Sequence, residues 1–448
     1  MDKEALFLYR FFSGDGSENE ALREIAALIV LVSSGEPLLE EEKAEKQKIF
    51  YRCIRSLIRE GQQHGLSGNL WQGILTIALI RDENAYSLAA ERRGEPEGSV
   101  NDLALHDFSI IREFFHYDLK QLSEAIGADF AEVLTDYRSA DENGFVFNRR
   151  IRDRIEELSE ELSRAKDARQ FKKAVTAFYA QYGVGAIGLH KAFRISRGKE
   201  GELLIDPIMR LQHVRLSDLI GYEDAKQKLI ANTEAFVRGL PANNCILYGD
   251  AGTGKSSSIK AIANQYFEEG LRLIEIYKHQ FQDINDLIGI LRNRNYRFIL
   301  YMDDLSFEEF EIEYKYLKAV IEGGLMQKPE NVLIYATSNR RHLIRERFTD
   351  RSEQDDDIHR NATVQEKLSL VARFGVSIYF GAPEMEEYEK IVLALAKKEG
   401  IRMPEEELLL KAKRWELSHG GLSGRTATQF VTALLSSGAD GKNGEERA

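Results

Sequence analysis

The chain has 448 residues, 43% of them hydrophobic and 30% charged, with a formal net charge of −12. That length allows about two or three domains with sizeable cores. The acidic balance excludes a global pull toward nucleic acid or an anionic membrane, and leaves only a local basic face possible.

The first 200 or so residues read as helical, in keeping with only seven prolines in the whole chain. Met1-Asp-Lys-Glu begins no signal peptide, and no apolar run approaches membrane-spanning length, so a cytoplasmic chain without a membrane partner is expected. Apolar residues recur at helical spacing over 21–32, 47–59, 70–80 and 108–122. Breaks fall at 33–37, 93–99 and 140–144. Charge alternates from Arg149 to Lys173 as on a solvated helix face. His106, His116 and His190 are scattered rather than clustered, which suits surface or core histidines better than metal ligands. Nothing in this half carries chemistry, and a regulatory or partner-binding domain is expected. The two cysteines, Cys53 and Cys245, are far apart and lack ligand spacing, so they read as buried thiols of a reducing compartment.

Tyr182 to Gly188 is glycine-rich but lacks a Lys-Ser/Thr ending, and reads as a turn or interdomain contact. A linker is expected around Ser196–Gly201, then a helix over 222–236. Cys245 to Tyr248 is a short apolar strand, and Gly249-Asp250-Ala251-Gly252-Thr253-Gly254-Lys255-Ser256 after it matches G-x-x-x-x-G-K-[ST]. Such a loop turns tightly on its glycines and aims successive N–H groups at phosphate oxygens. Lys255 would reach the β- and γ-phosphates and the Ser256 hydroxyl would complete a Mg²⁺ shell, with Ser257 next along a helix over 256–268. Strands and helices then alternate: strands at 271–277, 297–302, 331–336 and 376–380, helices at 284–291 and 307–321. With 245–248 that makes five strands, four of them with continuous apolar runs that belong to a parallel sheet covered on both faces, an α/β core. Three helical patterns at 386–399, 404–417 and 423–435 form a small lid before a polar tail, 438–448. The expected domains are thus 1–200 (helical), 201–383 (nucleotide-binding core), 384–437 (lid) and 438–448 (tail).

Asp303-Asp304 ends the 297–302 strand. Asp303 is placed to hold Mg²⁺ opposite Ser256, and Asp304 to polarise attacking water, with Glu308 and Glu309 as lesser candidates for the base. Asn339 follows the 331–336 strand and can hold water or contact the γ-phosphate. Arg373 precedes the last strand, where it can reach a neighbouring subunit's nucleotide, and Arg425 opens a lid helix from which it can reach the γ-phosphate. Ile220, Gly221 and Tyr222, after Leu219, can contact adenine. The basic run from Arg340 to Arg347 is followed by acidic residues and reads as a solvated loop. Plainer alternatives remain at this point: a helix cap for the two aspartates, a turn for Asn339 and a surface ion pair for Arg373.

In this order the motifs resemble those of the AAA+ ATPase superfamily over about 216–435: Walker A at 249–256, Walker B at 298–304, sensor 1 at Asn339, an arginine finger at Arg373 and sensor 2 at Arg425. More narrowly the chain resembles the bacterial family called domain of unknown function 815. The phrases that carry this are Leu219-Ile-Gly-Tyr222, Asn232-Thr-Glu-Ala-Phe236, Ala242-Asn-Asn244, Asp303-Asp-Leu-Ser-Phe-Glu308, Ala336-Thr-Ser-Asn-Arg-Arg-His342 and Glu366-Lys-Leu-Ser-Leu370. One departure is Val371-Ala372, where the family pattern has Ser-Asp. The resemblance implies an ATPase using ATP and Mg²⁺, acting as a homo-oligomer, ring or filament, on a protein or nucleic-acid client that it does not name. Because Asp304 stands where most such ATPases have Glu, a slow nucleotide-dependent switch or loader on a nucleic-acid machine is the alternative, with a P-loop kinase third.

Overall fold

The computed structural model of the chain describes residues 6–12, 17–35, 37–138, 148–199, 201–209, 211–307, 312–322, 329–339 and 373–437. Contacts divide the chain into two compact units, Met1–Leu189 and His190–Ala448.

The first unit is helical: α1 (Ser17–Ser33), α2 (Glu40–His64), α3 (Leu70–Arg81), α4 (Ala85–Arg93), α5 (Ser99–Phe115), α6 (Leu119–Ile126), α7 (Glu132–Thr135), α8 (Arg149–Arg164), α9 (Ala168–Tyr182) and α10 (Gly185–Leu189). Helix α3 is apolar all round, and all of it but Gln72 and Arg81 is buried, as a central helix must be. Trp71 still satisfies its indole N–H by donating to the Phe114 carbonyl at 2.8 Å. Helix α8 buries only Ile151, Ile155, Leu158 and Leu162, one stripe beneath the charged face expected from the sequence. Its neighbour α9 reaches α3 through Tyr179, whose hydroxyl donates to the Leu79 carbonyl at 2.7 Å. The glycine-rich passage after Tyr182 is packed rather than open. Val184 donates its N–H to Glu91 at 2.9 Å, and Gly188 lies so close to the 182–183 backbone that a Cβ would collide with it.

The second unit is built on a seven-stranded sheet: β1 (Ala192–Arg197), β2 (Leu203–Pro207), β3 (Cys245–Gly249), β4 (Leu271–Glu275), β5 (Arg297–Met302), β6 (Val332–Ser338) and β7 (Val376–Phe380). Spatial order is β2-β1-β4-β5-β6-β3-β7, and every neighbouring pair is parallel except β1 with β2. The five expected strands are therefore joined by two more. The supposed linker at 196–201 is instead the turn of an antiparallel hairpin, closed where Gly198 donates to the Glu202 carbonyl at 2.9 Å. A boundary at residue 200 would cut that hairpin, whereas the compact units divide at 189 and 190. Helices α11 (Glu223–Val237) and α12 (Lys255–Gln265) share one apolar cluster with Leu247, Leu273, Ile299 and Leu333 of the sheet, while Ile246, Phe298, Leu300 and Ile334 are buried on the other face. Helices α13 (Ile284–Leu291) and α14 (Ile312–Glu322) follow β4 and β5; of the helix expected over 307–321, residues 308–311 lie outside the described residues. The lid helices α15 (Met385–Lys398), α16 (Glu405–Ser418) and α17 (Gly424–Ser436) close on their own core of Tyr388, Val392, Leu408, Ala412, Ala427 and Phe430. This is an α/β core, a mostly parallel sheet with a phosphate-loop motif after β3, followed by a helical lid and widened by an edge hairpin. No described helix is long and apolar enough to cross a membrane. Glu308, Glu309, the 340–347 run with its acidic sequel, 366–372 and the tail all lie outside the described residues.

Two expected outcomes test this packing. Both thiols are buried, and burial pushes them well above the ordinary thiol range. Iodoacetamide at pH 8 should leave Cys53 and Cys245 unlabelled in the native chain and modify both in denaturant, as read by mass spectrometry. Gly249 has φ 136° and faces the Phe380 carbonyl so closely that a Cβ would run into it. Gly249→Ala should lower stability by about 2–3 kcal/mol in denaturant unfolding, from strain and overpacking together.

Candidate nucleotide-binding site

Strand β3 lies second from one end of the sheet, between β6 and β7, and its carboxyl end delivers the chain to the side of the sheet where such folds bind ligands. There Gly249, Gly252 and Gly254 take φ of 136°, 77° and 91°. The loop is locked from within. Asp250 donates its N–H to the Phe380 carbonyl at 2.9 Å, its carboxylate accepts from the Ala382 N–H at 2.7 Å, and the Thr253 hydroxyl donates to the Asp250 carbonyl at 2.8 Å. Helix α12 begins at Lys255, leaving its first N–H groups without intrahelical partners and directed at the loop's mouth.

Lys255 is buried, and its ammonium donates to the carbonyls of Gly249 at 3.1 Å and Asp250 at 2.6 Å. Burial lowers its pKa, and Asp250, Asp304 and Asp303 nearby act against that. One residue on, Ser256 donates to Asp303 Oδ1 at 2.7 Å, and Thr337 donates to the same oxygen at 2.6 Å. Crowding by the protein would raise the Asp303 carboxyl, but the hydrogen bonds, led by those from Thr337 and Ser256, hold it below the ordinary carboxylate range. Asp304 follows in a left-handed conformation, φ 48°, with its N–H donated to Thr337 Oγ1 at 2.9 Å and its Oδ1 accepting from Asn339 Nδ2 at 2.7 Å.

These groups open into a single cavity of about 460 Å³. The 252–258 segment, Asp303, Asp304, Thr337 and Asn339 supply its polar lining, with Arg425 at the start of α17. Leu219, Ile220, Tyr222, Phe380, Ile391 and Leu395 add apolar lining, with the charged Asp218 and Lys226 also on the wall, a mixture that suits a ligand with an anionic and an aromatic part. The lid meets the loop directly. Arg425 donates its N–H to the Gly252 carbonyl at 3.2 Å, and a Cβ on Gly252 would press on Arg425 and Ser423. Of the residues singled out from sequence, Gly221, Gly249, Asp250 and Ala251 shape the walls without lining the cavity. Arg373 does not line it either, and is exposed just ahead of the edge strand β7. Sequence reasoning passed over Thr337, although it stands two residues before Asn339 on the same side of the strand. It also passed over Lys226, Ile391, Leu395 and Thr428, whose only signal was helical spacing.

Whether these residues suit Mg²⁺ can be asked of the structure itself. A serine hydroxyl and a carboxylate meet at one point, which is the hard oxygen donor set that Mg²⁺ takes beside phosphate and water. Beside both stands the buried Tyr301 hydroxyl, whose polar neighbours are Ser256 and Asp303 themselves, so a further oxygen adjoins the pair. The residues fit the ion.

The chain has relatives among known proteins. The replication factor C large subunit of Staphylothermus marinus is 30% identical over 86 residues, 19% of this chain, and the match spans only 20% of that relative's length. Among solved structures, the Thermotoga maritima RuvB Holliday junction branch migration motor aligns at 18% identity and TM-score 0.37, covering 52% of this chain and 69% of that one. A mutant of the same motor aligns at 19% and 0.36 over the same shares. A family model described as "Protein of unknown function (DUF815)" matches residues 188–438, more than half of the sequence, and the chain therefore belongs to that family.

Proposed function

We propose that this chain binds Mg·ATP and hydrolyses it, working as a homo-oligomer, ring or filament, whose lid moves against the core to remodel a protein or nucleic-acid client. The observation that carries this reading is the convergence of Lys255, Ser256, Asp303, Asp304, Asn339 and Arg425 on one cavity that also has apolar lining. The loop N–H groups and the Lys255 ammonium hold the β- and γ-phosphates, exchanging loop carbonyls for phosphate oxygens. Ser256 and Asp303 hold the magnesium ion, which when bound neutralises charge developing between the β- and γ-phosphates. Asp304 orients the attacking water and accepts its proton, with Asn339 beside it. Arg425 reads the γ-phosphate from the lid and, through its contact with Gly252, couples nucleotide state to lid position. Ile220 and Tyr222 face the base. Arg373 completes a neighbour's site in trans, consistent with its exposure and its place outside its own cavity. The domain boundaries proposed with this reading give the helical N-terminal part the client or partner.

A second reading is supported by the Asp304–Asn339 hydrogen bond. A carboxylate already engaged by an amide, and one methylene shorter than glutamate, suits a slow nucleotide-dependent switch or loader.

The two readings part in a phosphate-release assay with Mg·ATP. Lys255→Ala should abolish nucleotide binding in calorimetry. Asp304→Asn should keep binding and lose turnover by on the order of 10²–10⁴, the range for a general base. Arg373→Ala should lose on the order of 10³–10⁵, and mixing it with Lys255→Ala subunits should restore part of the rate, because one variant supplies the arginine and the other an intact loop. Binding without any difference in turnover between wild type and Asp304→Asn favours the switch. Absence of Mg·ATP binding by the wild type overturns both.

A further inference from the structure

Residues 337, 338 and 339 each grip the turn that follows β5. The parallel register pairs Tyr301 with Tyr335 and Met302 with Ala336, so Asp303 comes to lie across from Thr337. Three bonds hold the turn's backbone there. Asp304 donates to Thr337 Oγ1 at 2.9 Å, Leu305 donates to the Thr337 carbonyl at 2.6 Å, and the Ser338 hydroxyl donates to the Leu305 carbonyl at 2.8 Å. Two more fix side chains: Thr337 to Asp303 Oδ1 at 2.6 Å and Asn339 to Asp304 Oδ1 at 2.7 Å. Ser338 and Thr337 are 0% and 2% exposed, so water does not compete for either hydroxyl.

Thr337 is the one side chain in this set that touches both acids. Its hydroxyl has one proton and accepting lone pairs. The proton goes to the Asp303 carboxylate, and a lone pair takes the Asp304 N–H. The second bond falls at a residue whose left-handed backbone most side chains disfavour, and it satisfies the N–H in that conformation.

We infer that Thr337 is a positioning residue, whose single hydroxyl sets the metal-holding carboxylate of Asp303 and the water-orienting residue Asp304 together. Metal affinity and turnover are then coupled through one oxygen atom, and serine is the one residue that can replace threonine there without uncoupling them. The inference rests on the ATPase reading for its turnover arm, but not for its metal arm.

The test compares Thr337→Val, which keeps shape and removes the hydroxyl, with Thr337→Ser, which keeps the hydroxyl and removes a methyl. Binding of a fluorescent ATP analogue in EDTA is measured for wild type and both variants, so that each Mg²⁺ titration is read against that variant's own metal-free nucleotide affinity. In a Mg²⁺ titration of the nucleotide-loaded full chain, Thr337→Val should raise the half-saturating concentration about tenfold or more, the usual scale for groups that orient metal ligands. Its kcat should fall at least about tenfold with KM for ATP little changed, the pattern of a group that acts on positioning rather than on substrate binding. Thr337→Ser should restore both quantities to within about threefold of wild type. The inference is overturned if Thr337→Val matches wild type in the Mg²⁺ titration, or if Val and Ser lose affinity equally, which would make methyl packing the cause. Melting curves verify folding. If Val melts below the assay temperature, Thr337→Ala takes its place, which differs from Thr337→Ser by the hydroxyl alone, with the same direction expected and the same two overturning results. A wild type that binds Mg²⁺ and nucleotide without turnover defeats the hydrolysis reading alone, and the metal titration still decides for or against Thr337.

Discussion

One carboxylate oxygen ties the site together. Asp303 Oδ1 accepts from Ser256 on α12 and from Thr337 on β6 while itself ending β5, so three elements separated by dozens of residues are fixed at one atom. Such a junction is favourable only while the aspartate is charged, since a protonated carboxyl would lose much of the strength of two charge-assisted bonds. The bonds hold the group ionised against the crowding that would protonate it, and the same charge is what a divalent cation requires. Structural cohesion and ligand chemistry thus draw on the same electrostatic arrangement.

The loop above this junction is held by its own carbonyls. Lys255 donates to Gly249 and Asp250, so a buried ammonium is satisfied inside the loop and supports its curvature. Phosphate oxygens offer that ammonium stronger, charged acceptors, so ligand binding exchanges bonds instead of creating a cation's solvation anew. The lid touches this loop directly. With Ser423 capping α17 through the Thr426 N–H at 3.0 Å and Arg425 bonded to Gly252, the first turn of the last helix rests on the loop backbone.

What was legible in the sequence follows the range of the forces involved. The phosphate loop, the buried strands and the lid helices are local patterns, and Gly249 to Ser256, Arg297–Met302 and α15 to α17 stand where periodicity put them. Hairpin β1–β2 was not legible. Its strands are short, its burial is mixed, and the arginines and glycines of Arg194 to Gly201 match a linker in composition; pairing with β4 is what makes β1 a strand. Thr337 was missed for a related reason. Its partners come from another strand, and only the β5–β6 register brings Asp303 opposite it. The central position of α3 was half legible: a helix apolar on every side announces burial, but Tyr179 and Phe114, which enclose it, are named only by the fold.

The left-handed turn at residue 304 gives a physical account of the aspartate found where a longer acid would be expected. With φ at 48°, this position favours side chains that tolerate the region, and Asp is among the few non-glycine residues enriched there. Glutamate would gain a methylene of reach and lose that compatibility, along with the short geometry that lets Asn339 Nδ2 bond the carboxylate at 2.7 Å. Thr337 selects for the same outcome from below by taking the Asp304 N–H. Backbone conformation and side-chain identity at this position therefore constrain each other. The shorter acid belongs to the way β6 holds the turn, and a change to glutamate alone would work against the turn that must present it.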